Sequence, residues 1–192
     1  TKNGKSSFYD QDGKSSKKTL MKTPLNGARL SSGFGNRKHP ILGFTKMHRG
    51  IDFAAPIGTP IFAAGDGVIE YSGWNGAYGK YIRIKHNGTF KTAYAHLSKI
   101  YKKRGTRIKQ GDIIGTLGST GRSTGPHLHY EIHVSGRQVN PLRIKLPSGK
   151  SIPKSELENF YKKQEVINNK IYAMRNKIKN NEFAYLKNMN NN

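Results

Sequence analysis

The chain has 192 residues, with 34 Lys and Arg against 11 Asp and Glu for a formal net charge of +23, and its mean hydropathy is −0.73. That length suits one domain with extensions, and the low hydropathy assigns part of the chain to solvated tail. No stretch reaches the ~18 consecutive apolar residues of a membrane-spanning helix, and the absence of cysteine excludes disulfide scaffolds, thiol catalysis and Cys-bound zinc.

Residues 1–23 are rich in Lys, Ser and Gly and carry no hydrophobic period, so they read as a partly ordered lead-in. Thr1 follows neither Met nor an apolar leader, which reads as a processed or excised piece. From residue 24 to 147 the pattern becomes short β-prone runs separated by glycine turns: 59–64, 67–72, 81–86, 90–96, 113–117 and 127–134. Such spacing predicts a mainly β domain. Asn87-Gly88 between the third and fourth runs predicts a two-residue hairpin turn and antiparallel pairing.

Residues 148–192 form a helical extension. Ser155-Glu156-Leu157-Glu158 matches a capping box. Leu157, Phe160, Gln164, Ile167, Ile171, Met174 and Ile178 then recur at alternating steps of three and four, a continuous seam. Packing on its own domain is the favoured reading, with a coiled coil to another chain as the alternative. The Asn-rich end reads as disordered.

The chemistry lies in the histidines. His127-Leu128-His129 opens a predicted strand, and period-two alternation points both imidazoles to one face and Leu128 to the other. Upstream, His48 and Asp52 lie four apart, and Asp52 is flanked by Ile51 and Phe53. If those neighbours enter a core, Asp52 faces the opposite side, where a carboxylate requires a cation or several hydrogen bonds. Two imidazoles and one carboxylate make a common catalytic zinc set that leaves a fourth position for water. Each short pattern also arises by chance, but the small-residue loop 118–126 leaves the histidine face unobstructed.

Residues 32–142 resemble the lysostaphin/LytM-type zinc metallopeptidases, which hydrolyse peptide bonds of bacterial peptidoglycan. The matching stretches are Ser32–Pro40 (SGFGNRKHP), His48–Asp52 (HRGID), Gly58–Gly67 (GTPIFAAGDG), Tyr94–Leu97 (YAHL) and Gly121–Tyr130 (GRSTGPHLHY). Thr45–Pro56 and Val139–Leu142 are most similar to the Gram-negative murein endopeptidase branch. The resemblance implies an antiparallel hybrid β-sandwich with a C-terminal α-helix, one zinc held by His48, Asp52 and His129, and catalytic roles for His96 and His127. It also implies an envelope location, periplasmic for this branch, with peptidoglycan stems as substrate and D-alanyl–diaminopimelate cross-links as the scissile bonds. Some family members lack the ligands and act only as wall-binding activators of amidases, which is the alternative function.

The remaining histidines read more plainly: His39 as a loop residue near the groove, His86 as solvated beside its turn, and His133 as too far to be a ligand, about 13 Å beyond His129. Trp74, Tyr78 and Tyr94 are candidate groove aromatics, against the commoner reading of β-domain aromatics as core. The turn language around Pro56–Val68 and Gln110–Gly115 is similar to lipoyl and biotinyl carrier domains, yet no lysine stands at the hairpin tip to be modified. Of the charge excess, residues 1–150 carry 26 basic and 7 acidic side chains, and residues 151–192 carry 8 and 4. An anionic envelope polymer or lipid surface fits that body charge. Nucleic acid does not, because the basic residues are scattered and form no recognition helix.

Overall fold

Alternating strands with one face apolar and the other polar must bury the apolar face against a second layer, and here that requirement organises residues Thr19–Pro147. The computed structural model describes residues 9–16, 18–38, 45–149 and 151–189. In chain order the strands are β1 (Arg29–Ser32), β2 (Gly35–Lys38), β3 (Thr45–His48), β4 (Ile51–Ala54), β5 (Pro60–Phe62) and β6 (Gly67–Trp74). They continue with β7 (Lys80–Lys85), β8 (Phe90–Ile100), β9 (Arg107–Ile108), β10 (Ile113–Leu117), β11 (His127–Val134) and β12 (Arg137–Val139). Helix α1 spans Lys154–Met189. The protein is therefore mainly antiparallel β with a C-terminal helix.

The main sheet runs β1-β4-β11-β8-β7-β6-β9, with β10 bridging β5 and β8 and β12 pairing β11, while β2 and β3 form a separate hairpin. Ile51, Phe53, Leu128, Tyr130, Ile132, Tyr94, Ile82 and Ile84 enter one core with Ile61, Ile69, Ile114 and Leu117. Each such aliphatic side chain contributes roughly 1.5–3 kcal/mol of burial. Leu20 and Leu25 belong to this core as well, tied in by Met21 N–H donating to Ala64 O at 2.7 Å and by Tyr130 OH donating to Met21 O at 2.8 Å.

Strands β7 and β8 pair antiparallel as expected, but the turn between them is not the two-residue type. The last pair is Lys85↔Lys91, neither Asn87 nor Gly88 has the positive φ a primed turn needs, and His86 N–H donates to Phe90 O at 3.0 Å. Asn87 Oδ1 instead accepts from Thr89 and Phe90 N–H, both at 2.8 Å, a side-chain turn that substitutes for backbone curvature. His86 is correspondingly half-buried rather than solvated, with its ring bonded to Asp66 O and Thr92 Oγ1, each at 2.8 Å.

The second unit comprises Thr1–Lys18 and Ser148–Asn192. Within it, Tyr9 meets Phe160 edge-on with centroids 6.3 Å apart, Ile152 N–H donates to Gly13 O at 2.9 Å, and Leu157 closes against Gly13. The start of the helical seam is thus covered by the lead-in. The rest is not: Ile167, Ile171, Met174 and Ile178 are all exposed, Met174 by 66%, so packing of the whole seam on its own chain is not found. Helix α1 also starts at Lys154, which places Ser155 inside the first turn rather than at the flanking cap position of the expected box. His39 lies outside the described residues.

Candidate metal centre and active site

Asp52 on β4 and His129 on β11 are directly opposed across the ladder, and their flanking residues Ile51, Phe53, Leu128 and Tyr130 enter the core. Strand alternation therefore forces the carboxylate and the imidazole onto the other face. His48 arrives from the β2–β3 hairpin, at the end of β3 paired with Gly35. Its Nε2 is 3.1 Å from Asp52 Oδ1 and 3.0 Å from His129 Nδ1, and His129 Nδ1 is 2.9 Å from Asp52 Oδ1. These three residues form the one group among the described residues whose donors could share a metal ion.

The protons of this cluster are set from behind. His48 Nδ1 donates to Gly33 O at 2.6 Å, and a carbonyl only accepts, so Nε2 is left with its lone pair toward Asp52. His129 Nε2 donates to Glu131 Oε1 at 3.0 Å, which leaves Nδ1 to face Asp52. With both rings neutral, three electron-rich atoms thus converge on one point. Burial pushes the Asp52 carboxyl up, but the hydrogen bonds that His129 and His48 give it when a ring takes up a second proton outweigh this and hold the group well below the usual carboxylate range. Burial lowers His129 as well, and there Asp52 and Glu131 prevail and raise it to about 9. The cluster requires positive charge at its centre, and a divalent cation would take the place of that proton. The donor spacings of 2.9–3.1 Å lie near the ~3.3 Å edge of a tetrahedron with zinc bonds of about 2.0–2.1 Å. The residues fit zinc.

His127 follows by parity. Its Nδ1 donates to Gly125 O at 2.8 Å, leaving Nε2 toward the cluster, 4.0 Å from Asp52 Oδ1. His96 does not follow by parity. Lys80 opposes Leu97 and Ile82 opposes Tyr94, so Ala95 and His96 together face the single residue Tyr81, a β-bulge. His96 adopts φ of +63° there, a left-handed conformation uncommon for a residue with a Cβ. Without the bulge His96 would share the core face of Tyr94; with it, the ring lies 4.7 Å from His127 and 6.1 Å from His129 by centroid. His96 Nδ1 donates to Thr120 O at 2.8 Å, so its Nε2 is the free base nitrogen. Burial, only partly offset by that bond, lowers its pKa to about 4, and the ring is neutral at physiological pH.

Two contributors were not singled out from sequence. Glu131 is almost fully buried and accepts from His129, from Tyr78 OH at 2.9 Å and from His133 Nε2 at 2.6 Å. The signal that could have found it is the one used for Asp52: an acid between two core residues, Tyr130 and Ile132, on the parity of His127 and His129. Thr120 holds His96 through its carbonyl, while its Oγ1 accepts from Lys80 N–H at 3.0 Å and donates to Leu97 O at 2.8 Å. His133 thus orients Glu131 and does not reach the cluster. Burial and Glu131 push the Tyr78 phenol well up, so it remains a neutral donor. Tyr78 lines the groove, a space of about 820 Å³ bounded by Met47, Arg49, Ala77, Arg122 and Pro126 around the histidines. Tyr94 belongs to the core, and Trp74 is exposed and does not line the groove.

Residues 46–141 match the sequence profile of Peptidase family M23. The chain belongs to this family. Among M23 relatives it is 49% identical over 154 residues to peptidoglycan DD-endopeptidase ShyC of Vibrio cholerae, covering 80% of this chain and 36% of the relative. To the DD-carboxypeptidase/endopeptidase Mpg of Neisseria meningitidis it is 48% identical over 141 residues, covering 72% and 33%. The chain spans about a third of the length of these curated relatives. In fold it is similar to a zinc-containing peptidase from Vibrio cholerae, with TM-score 0.64 and 38% identity over 73% of this chain and 47% of that one. The catalytic domain of lysostaphin from Staphylococcus simulans gives TM-score 0.57 and 39% identity over 62% and 92%. The M23 cofactor is zinc, in agreement with the donor chemistry of the His/Asp/His cluster.

Proposed function

We propose that this protein is a zinc-dependent endopeptidase that hydrolyses peptide cross-links of bacterial peptidoglycan, at D-alanyl–diaminopimelate bonds, in the periplasmic part of the cell envelope. The observation that carries the reading is the convergence of His48 Nε2, Asp52 Oδ1 and His129 Nδ1 within 2.9–3.1 Å of one another, beside two further imidazoles whose Nε2 atoms are free. The names of the peptidoglycan DD-endopeptidase relatives support the substrate and the endopeptidase class, and the resemblance to the Gram-negative branch suggests the particular bond. In this reading residues 24–147 hold the catalytic machinery, with His48, Asp52 and His129 as the zinc ligands.

Bound zinc supplies a Lewis acid and lowers the pKa of its water toward neutrality. The chain's own residues do the rest. Asp52 and Glu131 hold the ligand set in place, with Glu131 fixing the His129 tautomer. His96 and His127 each present a lone-pair nitrogen, backed by the carbonyls of Thr120 and Gly125. One of them takes a proton from the attacking water and the pair returns one to the leaving amine, a division of labour that needs no glutamate base. A non-catalytic amidase activator would lack part of this set, and here all five residues are present.

Purified protein supplied with zinc should solubilise isolated sacculi and lose that activity on addition of a chelator. Mass spectrometry of the released muropeptides should show loss of D-alanyl–diaminopimelate cross-links. Sacculi left intact by a zinc-loaded protein would overturn the reading.

A further inference from the structure

The groove walls carry two arginines that the ligand cluster does not use. Arg49 directly follows His48, and Arg122 lies in the loop whose Thr120, Ser123 and Gly125 hold His96 and His127. Both line the groove. The loop is pinned beside Arg122, whose backbone N–H donates to Ala77 O at 2.8 Å, and Gly121 next to it packs against the backbone of Gly79, with a φ of +73° that favours glycine. Arg49 thus adjoins a residue of the His/Asp/His cluster in the chain, and Arg122 belongs to the loop that holds the two further imidazoles.

Neither guanidinium forms a hydrogen bond or ion pair with another described residue. Arg83 shows the contrast: it is paired with Glu70 at 2.6 Å. The groove also offers these arginines no partner of its own. Its acidic lining residues are Asp52 and Glu131, and both are occupied, Asp52 by His48 and His129 and Glu131 by His129, His133 and Tyr78. An unpaired guanidinium presents a planar fork of donors that matches a carboxylate in two parallel hydrogen bonds.

We infer that Arg49 and Arg122 form carboxylate-receiving subsites in the lining of the groove, so that the protein selects acidic peptides with a free carboxylate next to the scissile bond. The inference rests on the peptidase reading for the chemistry at the centre, but the anion preference itself is a property of the walls. A neutral or amidated peptide would leave both guanidiniums in the groove with water alone, whereas an acidic one replaces that water with charge-assisted hydrogen bonds.

The test compares two cross-linked peptides that differ only in whether the carboxylate beside the scissile bond is free or amidated. The zinc-loaded wild type should cleave the free acid with kcat/KM about tenfold or more above the amide, the scale of one charge-assisted hydrogen bond. In R49Q/R122Q the ratio should fall to about one. A K103Q/R104Q control, which removes equal charge away from the groove lining, should keep the wild-type ratio. Equilibrium binding of both peptides to chelator-treated protein, read by fluorescence anisotropy, measures the same preference without turnover. A wild type that cleaves neither peptide would refute the peptidase reading, and binding would then decide the subsites alone. Equal affinity of the wild type for acid and amide, or a preference unchanged in R49Q/R122Q, would overturn the inference.

Discussion

His129 Nε2 donates to Glu131 Oε1 at 3.0 Å, two residues further along the same strand face, and this bond decides that His129 meets Asp52 through Nδ1. Glu131 is itself held by Tyr78 and His133. Outer carboxylates of this kind usually govern metal affinity by about 10- to 100-fold. Glu131→Ala should weaken zinc binding by that factor, measured by competition against a chromophoric chelator. Unchanged affinity in a folded variant would remove Glu131 from the support of the site.

The two sets of histidines should separate experimentally. Alanine at His48, Asp52 or His129 should abolish both zinc retention, measured by elemental analysis, and sacculus digestion. Alanine at His96 or His127 should leave zinc bound and lower turnover by about 10²- to 10⁴-fold, the range for a positioned acid or base. Full activity in His96→Ala would contradict its assignment.

Gly50 stands between His48 and Asp52, and a Cβ there would lie 2.6 Å from His129 Cε1, 2.8 Å from His129 Nε2 and 2.7 Å from Tyr130 O. The obstruction is one of space, since two of these atoms belong to the ring that faces Asp52. Gly50→Ala should destabilise the fold by roughly 1–3 kcal/mol, as overpacking does, and weaken zinc binding by displacing His129. Denaturant unfolding and chelator competition on the same sample would show both effects, and a variant with wild-type values for each would refute the clash.

His86 should make stability pH-dependent. Burial lowers its pKa below the ordinary 6.5, only partly offset by the carbonyls of Asp66 and Gly65. The unfolded chain therefore takes up a proton near pH 6.5 that the folded chain refuses until lower pH. Unfolding free energy should be full above that value and fall as pH drops through the window below it. In His86→Gln this part of the decline should disappear, so the variant should lose less stability than the wild type between pH 7.5 and 5.5 in denaturant titrations. Parallel declines would show that His86 does not contribute.

Local pattern carried a large part of the site. The alternation through Ile51-Asp52-Phe53 and His127-Leu128-His129 is enough to turn Asp52, His127 and His129 to one face, because a strand has a period of two wherever it lies. The same rule places Glu131 with them, and attention to buried acids as well as to histidines would have found it. Asn87-Gly88 shows the opposite case: the pairing of β7 with β8 follows from the apolar runs, but the turn type depends on which residues the ladder ends at, and the Asn87 side chain supplies the curvature instead.

By itself, then, the sequence determined the mainly β class, the C-terminal helix and the chemistry of the donor set, since these depend on residue type and near-neighbour spacing. The family motif named His96, but only the tertiary structure decided how it reaches the groove, because a bulge opposite Tyr81 and a φ of +63° reverse the face its strand parity assigns. It also decided that His48 comes in on a separate hairpin, that Arg49 and Arg122 find no partner among the described residues, and that the helical seam is covered at Leu157 and Phe160 but exposed at Ile167, Ile171, Met174 and Ile178. Bulges, ladder ends and the partners of charged groups are set by contacts between distant segments, and spacing along one segment does not encode them.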